Sequence, residues 1–164
     1  QGVMNNEVEA LMSATGVLPE ELAAFLANKD WVFPKATRVN ARLLHRIFDR
    51  RRASASTPEK IKAGCSELLG VYGLLRVFFL LKLGEMPEYE AHLSSYLAFC
   101  KFIDLLLDAK HSTIPTRVAE IVPQLRVAAR EHLDKHLAVY GDAYFRPKGH
   151  WLQDIPDQIG RAHV

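Results

Sequence analysis

Long apolar runs are missing from these 164 residues. The longest, near Val77 to Leu81, is bounded by Arg76 and Lys82, whereas a bilayer span needs roughly 20 apolar residues. No membrane partner is expected. Cysteine is scarce too. Cys65 and Cys100 both fall inside apolar helical patterns, where a buried thiol in a reducing compartment is the ordinary reading, rather than a disulfide framework or a metal ligand. Strand-like alternation never exceeds four residues and no internal repeat occurs, which excludes sheet folds and solenoids. No basic-then-apolar leader opens the chain, so no signal peptide is read. The first residue is Gln1 rather than Met, so the start is expected to be a cut. Phosphate-cradling glycine motifs are absent, and the carboxylates Asp104, Asp108, Glu7 and Glu9 combine with no nucleophile or glycine loop. No catalytic residue is assigned, and no small-molecule ligand is evident.

What is present is helical periodicity and enough apolar residues, 49% of the chain, to build a core. Val3, Val8, Leu11 and Met12 share a face of a first helix that should stop at Gly16. Pro19-Glu20-Glu21 suits the first turn of a second. Trp31 and Phe33 are expected to pin the loop of residues 30–38, before a third helix from Asn40 to Arg51. Thr57 and Pro58 read as the start of a central helix on which Ile61, Cys65, Leu68, Leu69, Tyr72, Leu75 and Phe79 form one stripe. Gly64, Gly70 and Gly73 interrupt that helix and predict close packing against a neighbour. A break over Leu83 to Pro87 leads to a fifth helix through Ala109, with Leu93, Tyr96, Leu97, Cys100, Ile103, Leu106 and Leu107 inward. A sixth runs from Pro115 to Tyr140, with Val118, Ile121, Val122, Leu125, Ala129, Leu133, Leu137 and Tyr140 inward, and Pro123 should kink or split it. The expectation is an all-α fold: an irregular bundle of about six helices, one domain over residues 1–158, with a less regular C-terminal segment.

The clearest local anomaly is charge. Residues 35–62 carry nine cations against two carboxylates, a net +7 in a chain of net +2, which leaves −5 elsewhere. Arg38, Arg42, Arg46 and Arg50 stand four apart, so on a helix they form a guanidinium ridge able to follow a phosphate backbone. The competing account is a solvated face paired with the acidic remainder. His132 and His136 also stand four apart, a spacing at which two imidazoles can share zinc, but Leu133, Asp134 and Lys135 between them break the metalloprotease pattern. With no third ligand in view, a partly exposed helix face is expected there, and no metal ligand is assigned.

Three stretches, QGVMNNEVEALM (1–12), KIKAGCSELLGVYGLLRVFF (60–79) and HLAVYG (136–141) followed by RPKGHWLQDIP (146–156), taken in that order resemble the transposases of CACTA (EnSpm-like) DNA transposons, including the divergent copies of dinoflagellate and other protist genomes. Residues 1–12 are similar to the segment after that family's aspartate-histidine motif. Residues 60–79 resemble its long helix, with an aromatic-leucine-arginine run, and the C-terminal stretch resembles its proline-lysine-histidine motif. The resemblance implies a nuclear parent enzyme with an RNase H-like core, in which three acidic residues hold two divalent ions such as Mg that clamp the attacking and leaving oxygens. The family's acidic motifs would lie before Gln1 and after Ile159, so no catalytic residue and no cofactor are carried onto this chain. Lys148 and His150 match the basic motif, whereas Gly149 stands where a histidine is usual, and Gln153 and Asp154 precede the proline.

The chain ends in IGRAHV, residues 159–164, which the codons ATC GGA AGA GCA CAC GTC encode, a string that resembles the start of a common sequencing adapter. Those residues are expected to be translated library DNA. The sequence thus predicts a helical scaffold piece of a transposase-like protein. Its candidate nucleic-acid contacts are Arg42, Arg46, Arg50, Arg51, Arg52, Lys60, Lys62, Lys148 and His150, and DNA is the expected partner. The alternative is a helical protein-interaction module without enzymatic ancestry.

Overall fold

The computed structural model describes residues 2–27, 31, 47–48, 61, 65–142 and 151–162. The fold is all-α, and the described residues contain no strand. Helix α1 runs Val3–Thr15, α2 Pro19–Leu26, α3 Cys65–Leu83, α4 Glu90–His111, α5 Pro115–Tyr140 and α6 Trp151–Ala162. No helix among the described residues is long and apolar enough to cross a membrane. The chain divides into two compact units, Gln1–Leu93 and Ser94–Val164.

In the first unit the expected punctuation operates. α1 stops at Gly16, whose φ of 69° is left-handed backbone that favours glycine. Pro19 opens α2, and the Glu21 carboxylate reaches back 3.4 Å to accept the Leu18 N–H, half of a capping box. Helices α1 and α2 pack on α3. There Leu68, Val71, Leu75 and Phe79 are buried in one stripe with Leu11, Leu22 and Leu26. Phe25 links these elements, its ring 5.2 Å from Phe78 and 5.0 Å from Trp31. Trp31 Nε1–H also donates to the Phe25 carbonyl at 2.8 Å, so this tryptophan is anchored on α2, while Phe33 and the other residues of 30–38 lie outside the described residues.

Two expectations for this unit need correction. Ile61 is buried but is not part of α3. Its backbone N–H donates to Glu9 Oε1 at 2.7 Å and its carbonyl accepts Asn5 Nδ2–H at 3.0 Å. The four-residue step from Ile61 to Cys65 imitates helical spacing, but α1 captures the Ile61 backbone groups that a helix would have used. Gly73 is exposed, and a Cβ built there meets nothing within 4 Å, so close packing does not explain it. The expected third helix and the Thr57-Pro58 start lie outside the described residues except Ile47 and Phe48, which are both buried.

In the second unit α4 buries Tyr96, Phe99, Cys100, Phe102 and Ile103, and α5 buries Val118, Ile121, Val122, Leu125, Ala128 and Ala129. Leu97, Leu106 and Leu107 are half-buried, since Phe99 and Phe102 take the inward positions. α5 runs unbroken through Pro123. Proline removes the hydrogen bond to the carbonyl four residues earlier, but Pro123 and Ala119 are both exposed, so the lost bond falls on the solvent side of α5 while the buried stripe holds the helix together. The C-terminal stretch is also helical rather than irregular: Leu152, Ile155, Pro156 and Ile159 recur at helical spacing, and α6 packs on α5.

Candidate functional site

None of the candidate nucleic-acid contacts, Arg42, Arg46, Arg50, Arg51, Arg52, Lys60, Lys62, Lys148 and His150, falls among the described residues. Six of the described cations meet a carboxylate. Lys82 meets Glu21, Arg117 meets Asp108 at 2.9 Å, and Arg130 meets Asp134. Lys101 and Lys135 converge on Glu131 at 2.9 and 3.1 Å. The Lys101 hydrogen bond, and then that of Lys135, holds the Glu131 carboxyl below its usual range, as the Lys82 hydrogen bond does for Glu21. Arg126 grips Asp157 of α6 with Nε at 3.1 Å and Nη2 at 2.6 Å on one oxygen.

That last contact walls a groove of about 600 Å³ between α5 and α6, lined also by Val127, Arg130, Glu131, Asp134 and Gln153. It is open to solvent, and its charges are neutralised across it, so it presents no convergent reactive group. Among the described residues no three carboxylates gather.

The chemical feature that does emerge is inside the second unit. His132 and His136 are 1% and 3% exposed, not the partly exposed face expected. At about 100° per residue, His132 and His136 lie roughly 20° either side of Leu125, in the middle of the buried stripe, and Leu137 about 120° away. Leu137 is accordingly 38% exposed. The signal is in the sequence, and reading only aliphatic residues as inward misses it. The His132 ring lies 5.0 Å from Phe99 and 5.7 Å from His136, which lies 4.9 Å from Tyr140. His132 Nδ1 is 3.4 Å from the Ser95 carbonyl. A carbonyl can only accept, so in this contact Nδ1–H is the donor.

No family model, curated protein or solved structure matches the chain.

Proposed function

We propose that this chain is a helical nucleic-acid-contacting module, the scaffold region of a transposase-like protein, which meets phosphate backbones through Arg42, Arg46, Arg50, Arg51 and Arg52. The charge distribution supports this reading. Residues 35–62 carry +7, whereas Lys82, Arg117, Arg126 and Arg130 on the described helices each meet a separate carboxylate, and Lys101 and Lys135 share Glu131. A cation with a resident carboxylate adds little to phosphate attraction; a basic run short of carboxylates adds a great deal. The intact parent would be nuclear and would cut DNA with divalent metal ions held by acidic residues outside this chain.

Fluorescence anisotropy with a short labelled duplex over a salt series tests the reading. Affinity should fall steeply with salt, by a log–log slope of about 0.9 per neutralised phosphate. Replacing Arg50, Arg51 and Arg52 together with alanine should lower that slope by up to about 3. Binding that the triple replacement leaves unchanged rejects the arginine patch as the contact.

A second reading, a helical protein-interaction module, is favoured by one surface of α3, where Val77, Leu80 and Leu81 are exposed at helical spacing. It predicts no duplex affinity at moderate salt.

A further inference from the structure

We propose that His132 and His136 are the imidazole pair of a binding site for a zinc-class divalent cation. A stripe of aliphatic residues lines the inner face of α5 from Val118 through Ala129, and beyond it, on the same face, histidine stands at 132 and again at 136. For packing alone an aliphatic side chain serves better, because a buried imidazole must have its polar nitrogens satisfied. Two histidines one turn apart on a single helix face are what a two-point grip on a borderline-soft ion requires.

The geometry supports the pair. A ring nitrogen of each lies within 4.8 Å of the other, and the rings stand 62° apart in plane with centroids at 5.7 Å. Two zinc–nitrogen bonds of about 2.0 Å each span at most about 4 Å, so a small rotation of the side chains closes both nitrogens on one ion. The Ser95 carbonyl, 3.4 Å from His132 Nδ1, is the kind of acceptor a ligating histidine uses: with Nδ1–H donated to it, Nε2 would be the atom that meets the ion. Ser95 is fully buried, and its own Oγ has no hydrogen-bond partner among the described residues, so this end of the second unit's core holds polar groups that packing alone does not use. Water or other oxygen donors complete the coordination sphere. Neutral imidazoles suit zinc, copper, nickel and cobalt rather than magnesium or calcium, which separates this site from the two-metal chemistry implied by the transposase resemblance.

The test uses the whole chain, stripped with chelator and titrated with Co²⁺ and then Zn²⁺ in the absence of nucleic acid. One equivalent of Co²⁺ should give visible bands of low-symmetry coordination and strongly shifted N–H resonances from two imidazoles, and Zn²⁺ should displace it. Altering groups that only support a ligand already costs about 10–100-fold in affinity. His132→Gln and His136→Gln should therefore each weaken binding by at least about 100-fold, while His111→Ala, at an exposed position, should leave it unchanged. Circular dichroism reports whether the glutamine variants fold. If they do not, the assigned imidazole resonances of the unaltered chain decide. Absence of shifted imidazole resonances at equimolar Co²⁺, shifts confined to other histidines, or full affinity in folded His132→Gln and His136→Gln would overturn the proposal.

Discussion

The two units handle buried polarity differently. In the first, α1 buries Asn5, Asn6, Glu7 and Glu9, and two of these, Asn5 and Glu9, bond the backbone of one residue, Ile61. In the second, α5 buries two imidazoles on adjacent turns, and outside them an exposed lattice of ion pairs ties α5 to α4 and α6. A polar group committed to an otherwise unsatisfied amide is structural, because the chain order decides its partner. Imidazoles set among aromatic rings, one of them beside a backbone carbonyl, are the groups on which the proposed coordination rests. The first unit should therefore be sensitive at a few backbone points. The second should respond to solution conditions: metal, pH and salt.

The largest effect should come from breaking the Ile61 clamp. Glu9→Ala removes a charge-assisted hydrogen bond and leaves the Ile61 N–H buried, a loss of about 2–3 kcal/mol of stability. Denaturant unfolding measures the loss, and hydrogen exchange at the Ile61 amide locates it. An Ile61 amide that stays protected in Glu9→Ala would show that the clamp is not what holds this residue.

A glycine pair on one helix sharpens the same claim. Gly84 closes α3, donating to the Leu80 carbonyl at 3.0 Å, and a Cβ there would lie 2.4 Å from that oxygen. Backbone must move to admit it, so Gly84→Ala should cost about 2 kcal/mol, in the range of overpacked sites. Gly73, in mid-helix with open space around it, should do the reverse: alanine there should stabilise by about 0.5–1 kcal/mol. Midpoint shifts of opposite sign, with unchanged denaturant slope, check both. Equal shifts would mean that local sterics do not govern this helix.

Much of this architecture is legible in the chain because helix punctuation is local. Gly16 and Pro19 act within one turn, and the stripe from Val118 to Leu125 spans a few residues. Non-local competition escapes such reading. Whether Ile61 continues a helix depends on side chains 52 and 56 positions earlier, which no periodicity records. Pro123 is a breaker by local rule, yet α5 continues through it, with the lost hydrogen bond on the exposed side of the helix. A motif dominates the sequence of Trp151–Ala162, whereas Leu152, Ile155, Pro156 and Ile159 already spell an amphipathic turn. The histidine pair is a matter of angle: both lie on the axis of the buried stripe, and polarity alone places them outside it. The arginine ridge rests on sequence alone, since its residues lie outside the described ones.

The smallest effect concerns acid, and it separates the units by number of cations. Glu131 is held below its ordinary value of 4.5 by Lys101 first and Lys135 second, and Glu21 is lowered chiefly by Lys82. A carboxyl lowered in the folded state binds fewer protons there than in the unfolded chain. Its contribution is therefore complete above the unfolded value and disappears as pH falls through the lower folded one. Both glutamates are partly exposed, which limits each contribution to less than about 1 kcal/mol. Stability should decline below about pH 4.5, and Lys101→Met with Lys135→Met should flatten that decline more than Lys82→Met does, because two ammonium groups act on Glu131 and one on Glu21. The difference should shrink as salt is raised, since exposed pairs are screened over about 10 Å at 0.1 M. Thermal unfolding of the three chains between pH 3 and 6 at two salt concentrations measures it, and equal flattening by both replacements would remove this distinction between the units.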